Sequence, residues 1–271
     1  MDLTDAQQHR GGTMSAALKG SAEMATISVI TPVYQPQSEY LRAACDSVAA
    51  QELPAGWELE WLVQEDGQTD DARQILESTL WIKHGRNRHS GQAITRNLAL
   101  ARARGGLVRN LDQDDILTSG ALIRDIGALE ANSDVGWATS RVLDLLPDGS
   151  TEGFGHDPPS GRIERGEAVR HWRAHDYRLP VHPTTLCIRR ALAVALGGWM
   201  AVPGSDDTGL LVAASVLSTG WFTSDVGLLY RKWSGQASAS PDHVELDERR
   251  DRMSLISERA DQLAQLDALI A

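Results

Sequence analysis

The chain has 271 residues and a formal net charge of -11. That length allows one large α/β domain or two small ones at roughly 100–200 residues per domain, and the acidic balance disfavours binding to a nucleic-acid backbone. No apolar run approaches the ~18 residues of a membrane span, the polar start Met1 to Gln8 does not read as a secretory signal, and Cys45 and Cys187, without a CxxC partner, fit a reducing cytoplasm better than a single disulfide.

Residues 1–25 are rich in Gln, Gly, Ser, Thr and Ala, carry no periodicity and read as a flexible tail. A β-branched run, Ile27 to Tyr34, predicts a buried first strand. A helix is expected over Glu39 to Ala50, with Leu41, Ala44, Cys45 and Val48 on one face. A second strand, Leu59 to Gln64, runs into Glu65-Asp66-Gly67-Gln68-Thr69-Asp70, with Thr69 or Asp70 as N-cap of a helix starting at Asp71. Trp81 to His84 reads as a short third strand. Ser90 is expected to cap a helix over Gly91 to Arg104, with Ile94, Leu98 and Ala101 facing the core and Gly105-Gly106 ending it.

Leu107 and Val108 then begin a strand that delivers Asp112-Gln113-Asp114-Asp115 at its C-terminal end, and a further helix follows Thr118-Ser119. In open α/β sheets, ligands bind at the C-terminal ends of the strands. Two carboxylates one residue apart on such a turn can reach one hard divalent cation, which prefers oxygen ligands and keeps waters and substrate phosphates. A solvated acidic loop is the competing reading. Arg109-Asn110 is unusual here, because central parallel strands are normally continuous apolar runs. Either the strand is short or Arg109 turns toward an acidic partner.

The second half is less regular. Pro147 to Ser150 reads as a hairpin turn, Glu164 to Arg173 as a helix and Thr184 to Ile188 as a strand. A helix over Ala191 to Leu196 should stop at Gly197-Gly198, another should begin near Asp206, and Trp221 to Tyr230 should form one or two strands. After Pro241 a charged helix runs to the end, with Ile256, Leu263, Leu266 and Ile270 on an apolar seam that either covers the domain or makes a dimer contact. Alternating strands and helices predict a mostly parallel sheet with right-handed crossovers. No G-x-G-x-x-G follows the first strand, which disfavours a dinucleotide-dependent oxidoreductase.

Several strand-end features fall in one order: Thr31-Pro32-Val33-Tyr34, then Glu65 to Asp70, then Arg96-Asn97, then Asp112 to Asp115. Downstream come Thr184 to Arg190 before Gly197-Gly198-Trp199, then Ser205-Asp206-Asp207, then Tyr230-Arg231. In that order, over roughly residues 27 to 240, they resemble family 2 of the GT-A-fold glycosyltransferases. The resemblance implies one α/β GT-A domain: a mostly parallel central sheet flanked by helices, a small antiparallel acceptor-side region and a C-terminal helix. Its expected limits are 26–240, with a nucleotide-sugar half over 26–135 and an acceptor half over 136–240, followed by a helix over 241–271.

The resemblance also implies roles. Thr31, Pro32, Tyr34, Asp66, Arg96, Asp112 and Asp114 would bind a nucleoside-diphosphate sugar. Asp66 would accept a hydrogen bond from the base, Tyr34 would lie against base or ribose unless it is an ordinary rim aromatic, and Arg96 would approach ribose or pyrophosphate. Asp112 would contact the ribose and, with Asp114, hold Mn²⁺ or Mg²⁺ against the phosphates. Asp207 would be the base that deprotonates a hydroxyl acceptor. Asp206, which could instead cap its helix, would sit on the acceptor side with Trp199 and His182; His182 also reads as an ordinary structural histidine. The chain departs from the family pattern at Glu65, Gln68 and Asp206, and lacks a Gln-x-x-Arg-Trp segment, so single-sugar addition is expected rather than polymerisation. A nucleotidyltransferase would need a Gly- and Lys/Arg-rich loop where Gln35-Pro36-Gln37-Ser38 stands. A non-catalytic nucleotide-sugar binder or degenerate partner protein is the other alternative.

Overall fold

A computed structural model describes residues 24–155, 157–236 and 245–270; most of the expected tail, and residues 241–244 of the expected last helix, lie outside them. Strand β1 (Ala25–Val33) lies between β2 (Trp57–Asp66) and β4 (Leu107–Asn110), parallel to both, and β3 (Lys83–Asn87) adds in parallel to β2. The other half holds β6 (Val135–Leu145) parallel to β10 (Thr219–Arg231). Strand β9 (Cys187–Arg189) joins the halves, antiparallel to β4 on one side and β6 on the other. The full order is β3-β2-β1-β4-β9-β6-β10-β5, where β5 is Ile116–Leu117, and β7 (Thr151–Gly153) and β8 (Gly161–Ile163) pair off that path, antiparallel to β6 and β10. This is the expected mostly parallel sheet, with antiparallel pieces gathered in the second half.

Helices cover both faces. Helix α1 (Ser38–Ala49) buries Leu41, Ala44, Cys45 and Val48, the face its spacing predicts. Helix α2 (Asp71–Ile75) follows β2, α3 (Gln92–Arg102) precedes β4, and α4 (Ala121–Ala131) precedes β6. Later come α5 (Glu167–Ala174), α6 (Arg190–Ala195), α7 (Asp206–Leu217) and α8 (Leu246–Ile270). The seam of α8 does both less and more than predicted. Met253, Ile256 and Ala260 pack on Val212 and Val216 of α7 and Trp172 of α5, with Leu263 beside them, whereas Leu266 and Ile270 are exposed.

Several local expectations are corrected. Asp70 holds the N-cap position of α2, one of the two residues expected there, but its side chain makes no capping hydrogen bond; Glu65 Oε1 caps the helix from the end of β2, accepting from Asp71 N at 2.7 Å and from Thr69 Oγ1 at 2.6 Å. Ser90 does not cap α3, whose N-cap is Gly91 in a positive-φ conformation. Ile94, Leu98 and Ala101 of α3 face solvent, while Ala93, Thr95, Arg96, Ala99 and Leu100 are buried. Small alanines let this helix lie close to the sheet, and the inward Arg96 pairs with two acids, Asp112 and Asp206. The third strand lies at Lys83–Asn87 instead of Trp81–His84; as an edge strand it carries polar residues and no buried periodicity. A 3₁₀ turn at Pro183–Thr185 takes the first half of the strand expected over Thr184 to Ile188.

Both explanations for Arg109 hold. Strand β4 has four residues, and Arg109 turns to Asp125 of α4 at 3.0 Å while donating to Thr184 O at 3.0 Å. Both charged groups are buried, so each depends on the other. Burial pushes the Asp125 carboxyl up to about 6 against the pull of Arg109 and Arg124. This pair ties the middle of the sheet to the helix that follows the Asp112 turn.

Candidate active site

Strands β1, β2 and β4 end side by side, and the turn after β4 brings Asp112, Asp114 and Asp115 together. The turn closes through Asp115 N donating to Asp112 O at 3.2 Å. Arg96 reaches it from α3: one guanidinium nitrogen lies 2.5 Å from Asp112 Oδ1 and another 2.6 Å from Asp206 Oδ2. Arg96 and Asp206 are almost wholly buried. Asp112 and Asp207, with those two pairs, strengthen the charged form of Arg96 against burial. Asp112 and Asp206, far apart in the chain, thus share one cation.

Asp114 accepts from Trp233 Nε1 at 2.7 Å through Oδ2, and its backbone carbonyl accepts from Arg231 Nε at 2.8 Å. Arg231 N donates to Asp115 Oδ1 at 3.0 Å, and its guanidinium lies over the Tyr40 ring at 4.2 Å. Burial raises the Asp114 carboxyl, with Trp233 opposing and Asp112 adding to the rise. Burial and the charges of Asp114 and Asp112 raise Asp115 as well. Asp115 Oδ2 is buried without a hydrogen-bond partner. Three carboxylates in one turn, two of them pushed toward protonation and one with an orphaned oxygen, are a donor set that suits a divalent cation. A hard cation with oxygen ligands would relieve that repulsion.

On the other side of the turn, Gln113 clasps the Tyr34 backbone: Tyr34 N donates to Gln113 Oε1 at 2.9 Å and Gln113 Nε2 donates to Tyr34 O at 3.0 Å. The Tyr34 ring is exposed and stacks on His89, with centroids 4.5 Å apart and planes at 20°. Asp66 is buried and holds the loop before α3. Ser90 N (2.7 Å) and Asn87 Nδ2 (3.1 Å) donate to Oδ1; Gly91 N (3.0 Å) and His89 Nδ1 (3.0 Å) meet Oδ2. Thr31 and Pro32 lie beneath in β1, buried, and the Thr31 hydroxyl accepts from Trp61 Nε1 at 2.8 Å in the core.

Asp206 and Asp207 open α7 after Ser205, which adopts a left-handed backbone (φ 59). Asp206 spends its side chain on Arg96 instead of capping. Burial pushes its carboxyl up to about 6; Arg96 pulls against this, and Asp207 and Asp112 push further. Asp207 Oδ1 accepts from Thr208 N at 2.6 Å, and burial raises this carboxyl too, against Arg96 and with Asp112. Trp199 is only 2 % exposed and lies with its ring 6.0 Å from the Arg96 guanidinium. Its backbone is gripped by Asn97, which donates to Trp199 O at 2.9 Å and accepts from Trp199 N at 2.8 Å. His182 lies between Phe154 and Tyr230. Burial, followed by Lys232, holds its imidazole down at about 4, so it is neutral at physiological pH.

The structure therefore gathers Asp112, Arg96, Asp206 and Asp207 into one charged cluster, with Asp114 beside it and Tyr34 and Asp66 at the ends of β1 and β2. Sequence reasoning missed His89, Gln113, Asp115, Arg231 as a clamp, and Trp233. Asp115 and Gln113 carried a signal by lying inside the carboxylate motif, and Arg231 by standing with Tyr230 at the end of the downstream series. Lys232, next to Arg231, pairs with Asp144 at 3.3 Å. Another acidic group, Glu65, Asp70 and His84, brings ligand atoms within 4.8 Å of one another. Those side chains already serve the fold: Glu65 caps α2 and Asp70 pairs with Arg86 at 2.5 Å.

Comparison with known proteins bears on the family and the fold. The sequence model of the family described as "Glycosyl transferase family 2" matches residues 28–194. A putative teichuronic acid biosynthesis glycosyltransferase of Bacillus subtilis, TuaG, is 37 % identical over 94 residues, which are 33 % of this chain and 36 % of that protein. A Sinorhizobium fredii protein, y4gI, is 30 % identical over 136 residues, 47 % of this chain and 14 % of its own length. The chain thus matches well under two thirds of either relative. The crystal structure of residues 1–349 of S. aureus TarS in complex with UDP-GlcNAc superposes with a TM-score of 0.67 at 20 % identity, covering 90 % of this chain and 71 % of that one. The complex with UDP gives 0.64 at 20 % identity, covering 90 % and 70 %. At that identity the likeness establishes the fold.

Proposed function

The chain belongs to glycosyl transferase family 2, and from that premise we propose that it is a metal-dependent inverting glycosyltransferase. It moves one sugar from a nucleoside-diphosphate sugar, with a UDP-sugar favoured, to a hydroxyl acceptor. The observation that carries this reading is the double ion pair of buried Arg96, which joins the donor-side Asp112 to the acceptor-side pair Asp206-Asp207. A donor and an acceptor held at those two sets of carboxylates would meet beside one fixed guanidinium. That S. aureus TarS, which shares the fold, forms complexes with UDP and UDP-GlcNAc supports the donor class.

In this reading Asp207 takes the proton from the acceptor hydroxyl. The freed oxygen attacks the anomeric carbon as the bond to the diphosphate breaks, and the electron pair leaves with the nucleoside diphosphate. A carboxylate raised by burial is a better base than a solvated one and suits proton transfer near neutral pH. Asp206 keeps Arg96 in place, and Arg96 faces the oxygens of the donor. Asp112 and Asp114 would hold Mn²⁺ or Mg²⁺, which would supply positive charge against that building on the leaving diphosphate. His182 and Trp199 bound the acceptor side, Trp199 from beneath Arg96. Among the described residues no helix is long and apolar enough to cross a membrane. Both cysteines are buried and free, as a reducing compartment such as the cytoplasm would leave them.

A thermal-shift panel of UDP, dTDP, GDP, ADP and CMP, each with and without Mn²⁺, tests the reading. A ligand at about 100 times its Kd stabilises the folded state by about 2.7 kcal/mol. One diphosphate that stabilises only with metal is the expected result. Silence across the panel would favour a degenerate partner protein instead.

A further inference from the structure

Asp66 has no room for another donor. An ionised carboxylate offers about four lone-pair positions; Ser90 N, Gly91 N and Asn87 Nδ2 donate to three of them, and His89 Nδ1 stands 3.0 Å from Oδ2. A base that is to be read by Asp66 must therefore replace one of them. Two are backbone groups of the loop that enters α3, and Asn87 Nδ2 is also shared with Arg88 O at 2.8 Å and Thr95 Oγ1 at 3.2 Å. His89 differs, since its side chain is 62 % exposed and is held by Asp66 and Tyr34 alone among the contacts described.

Those two contacts have the form that a nucleobase would make. A flat aromatic ring lies near-parallel to Tyr34 at 4.5 Å, and its Nδ1 sits 3.0 Å from a carboxylate oxygen of Asp66. We propose that the His89 imidazole occupies the nucleobase position, and that a donor binds by displacing it. The inference rests on the donor-side reading of Tyr34 and Asp66 given above. It also restricts the donor. The incoming base has to supply the N–H that His89 withdraws, which uracil and thymine (N3–H) and guanine (N1–H) can do. Cytosine and adenine present a lone pair at the corresponding ring nitrogen and can offer Asp66 only their exocyclic amino group, so they would fit the slot less well. His89 thus makes the affinity of every donor depend on the fraction of molecules in which the slot is open.

Titration calorimetry with Mn²⁺ present tests this on the full chain, with wild type, His89→Ala and His89→Phe. UDP should bind His89→Ala about three- to tenfold more tightly, the scale of one stacked ring and one exposed hydrogen bond. Inorganic pyrophosphate, which has no base, should bind wild type and His89→Ala alike. His89→Phe keeps the ring but not the N–H and should fall between wild type and His89→Ala, and CDP should bind each protein more weakly than UDP. UDP binding that is equal or weaker in His89→Ala would overturn the displacement, since the ring would then be idle or a wall of the site. If neither UDP nor any other nucleoside diphosphate binds wild type or variant, the donor reading itself fails together with the proposal.

Discussion

Arg96 is buried between Asp112 and Asp206, and the stability of the site follows from that one side chain. Removing a partner from a buried ion pair leaves an uncompensated charge and costs about 3–5 kcal/mol. Arg96→Met should therefore lower unfolding stability on that scale at pH 7, measured in urea. The pH dependence has a definite sign. The Asp206 carboxyl stands at about 6 in the folded protein against an ordinary 3.8, so the folded state binds the extra proton between those values. Stability from this group is then lost as pH rises through that window. Without Arg96, ionisation of Asp206 costs still more, so the deficit of Arg96→Met should shrink as pH falls from 7 to 5. A deficit that stays constant over that range would mean that Asp206 does not depend on Arg96. Asp207 gives the catalytic counterpart. Asp207→Asn keeps the size of the side chain and its bond to Thr208 N but removes the base, so transfer should fall about 10²–10⁴-fold. Nucleoside-diphosphate binding should persist, because the base-side residues Tyr34 and Asp66 are untouched.

Glu60 shows how single residues hold elements together at the end of the sheet opposite the site. From β2 it accepts from Ser28 of β1 at 2.5 Å, Lys83 of β3 at 2.5 Å, and Arg104 N at 2.5 Å in the turn between α3 and β4. Burial alone would raise its carboxyl, but the hydrogen bonds from Lys83, Ser28 and Arg104 outweigh it and hold it at about 2. Its contribution is complete above the ordinary 4.5 and is lost as pH falls toward 2. Glu60→Gln should cost about 2 kcal/mol at neutral pH, and acid titration of the two proteins should bring them together below pH 4.5. The elements that the sequence made legible are those with an apolar period of their own, such as β1, β2, α1 and the start of α7. Those it misplaced draw their position from neighbours: β3 is polar because it is an edge, and α3 turns Ile94 and Leu98 outward because Arg96 must face Asp112 and Asp206. The same distinction holds in the site. Asp66, Asp112, Asp114 and Asp207 stand in short motifs, whereas His89 and Trp233 reach it only through contacts that no local pattern encodes.

At the scale of the whole molecule, the sheet divides into halves that meet at the antiparallel strand β9, an order set by long-range pairing and not readable along the chain. The cluster around β1, β2, α1 and α4 supports Tyr34, Asp66 and Asp112. The acceptor carboxylates depend on α7, a single rod whose first turn carries Asp206 and Asp207 and whose Val212 and Val216 rest on α8. Helix α8 therefore acts on the acceptor side from a distance, through Ile256, which is fully enclosed by α5, α7 and α8. Ile256→Ala leaves a cavity there and should cost about 2–5 kcal/mol in unfolding stability. Its functional effect should be unequal. Loosening the seat of α7 lets Asp207 wander, and a misplacement of about 1 Å can cost on the order of 10²-fold in rate. UDP binding with Mn²⁺ draws on the base-side residues in the other half and should change little. Measured on the same preparation below its unfolding temperature, a fall in transfer with unchanged UDP affinity would locate the effect on α7. Parallel losses in both would instead mean that the two halves yield together across β9.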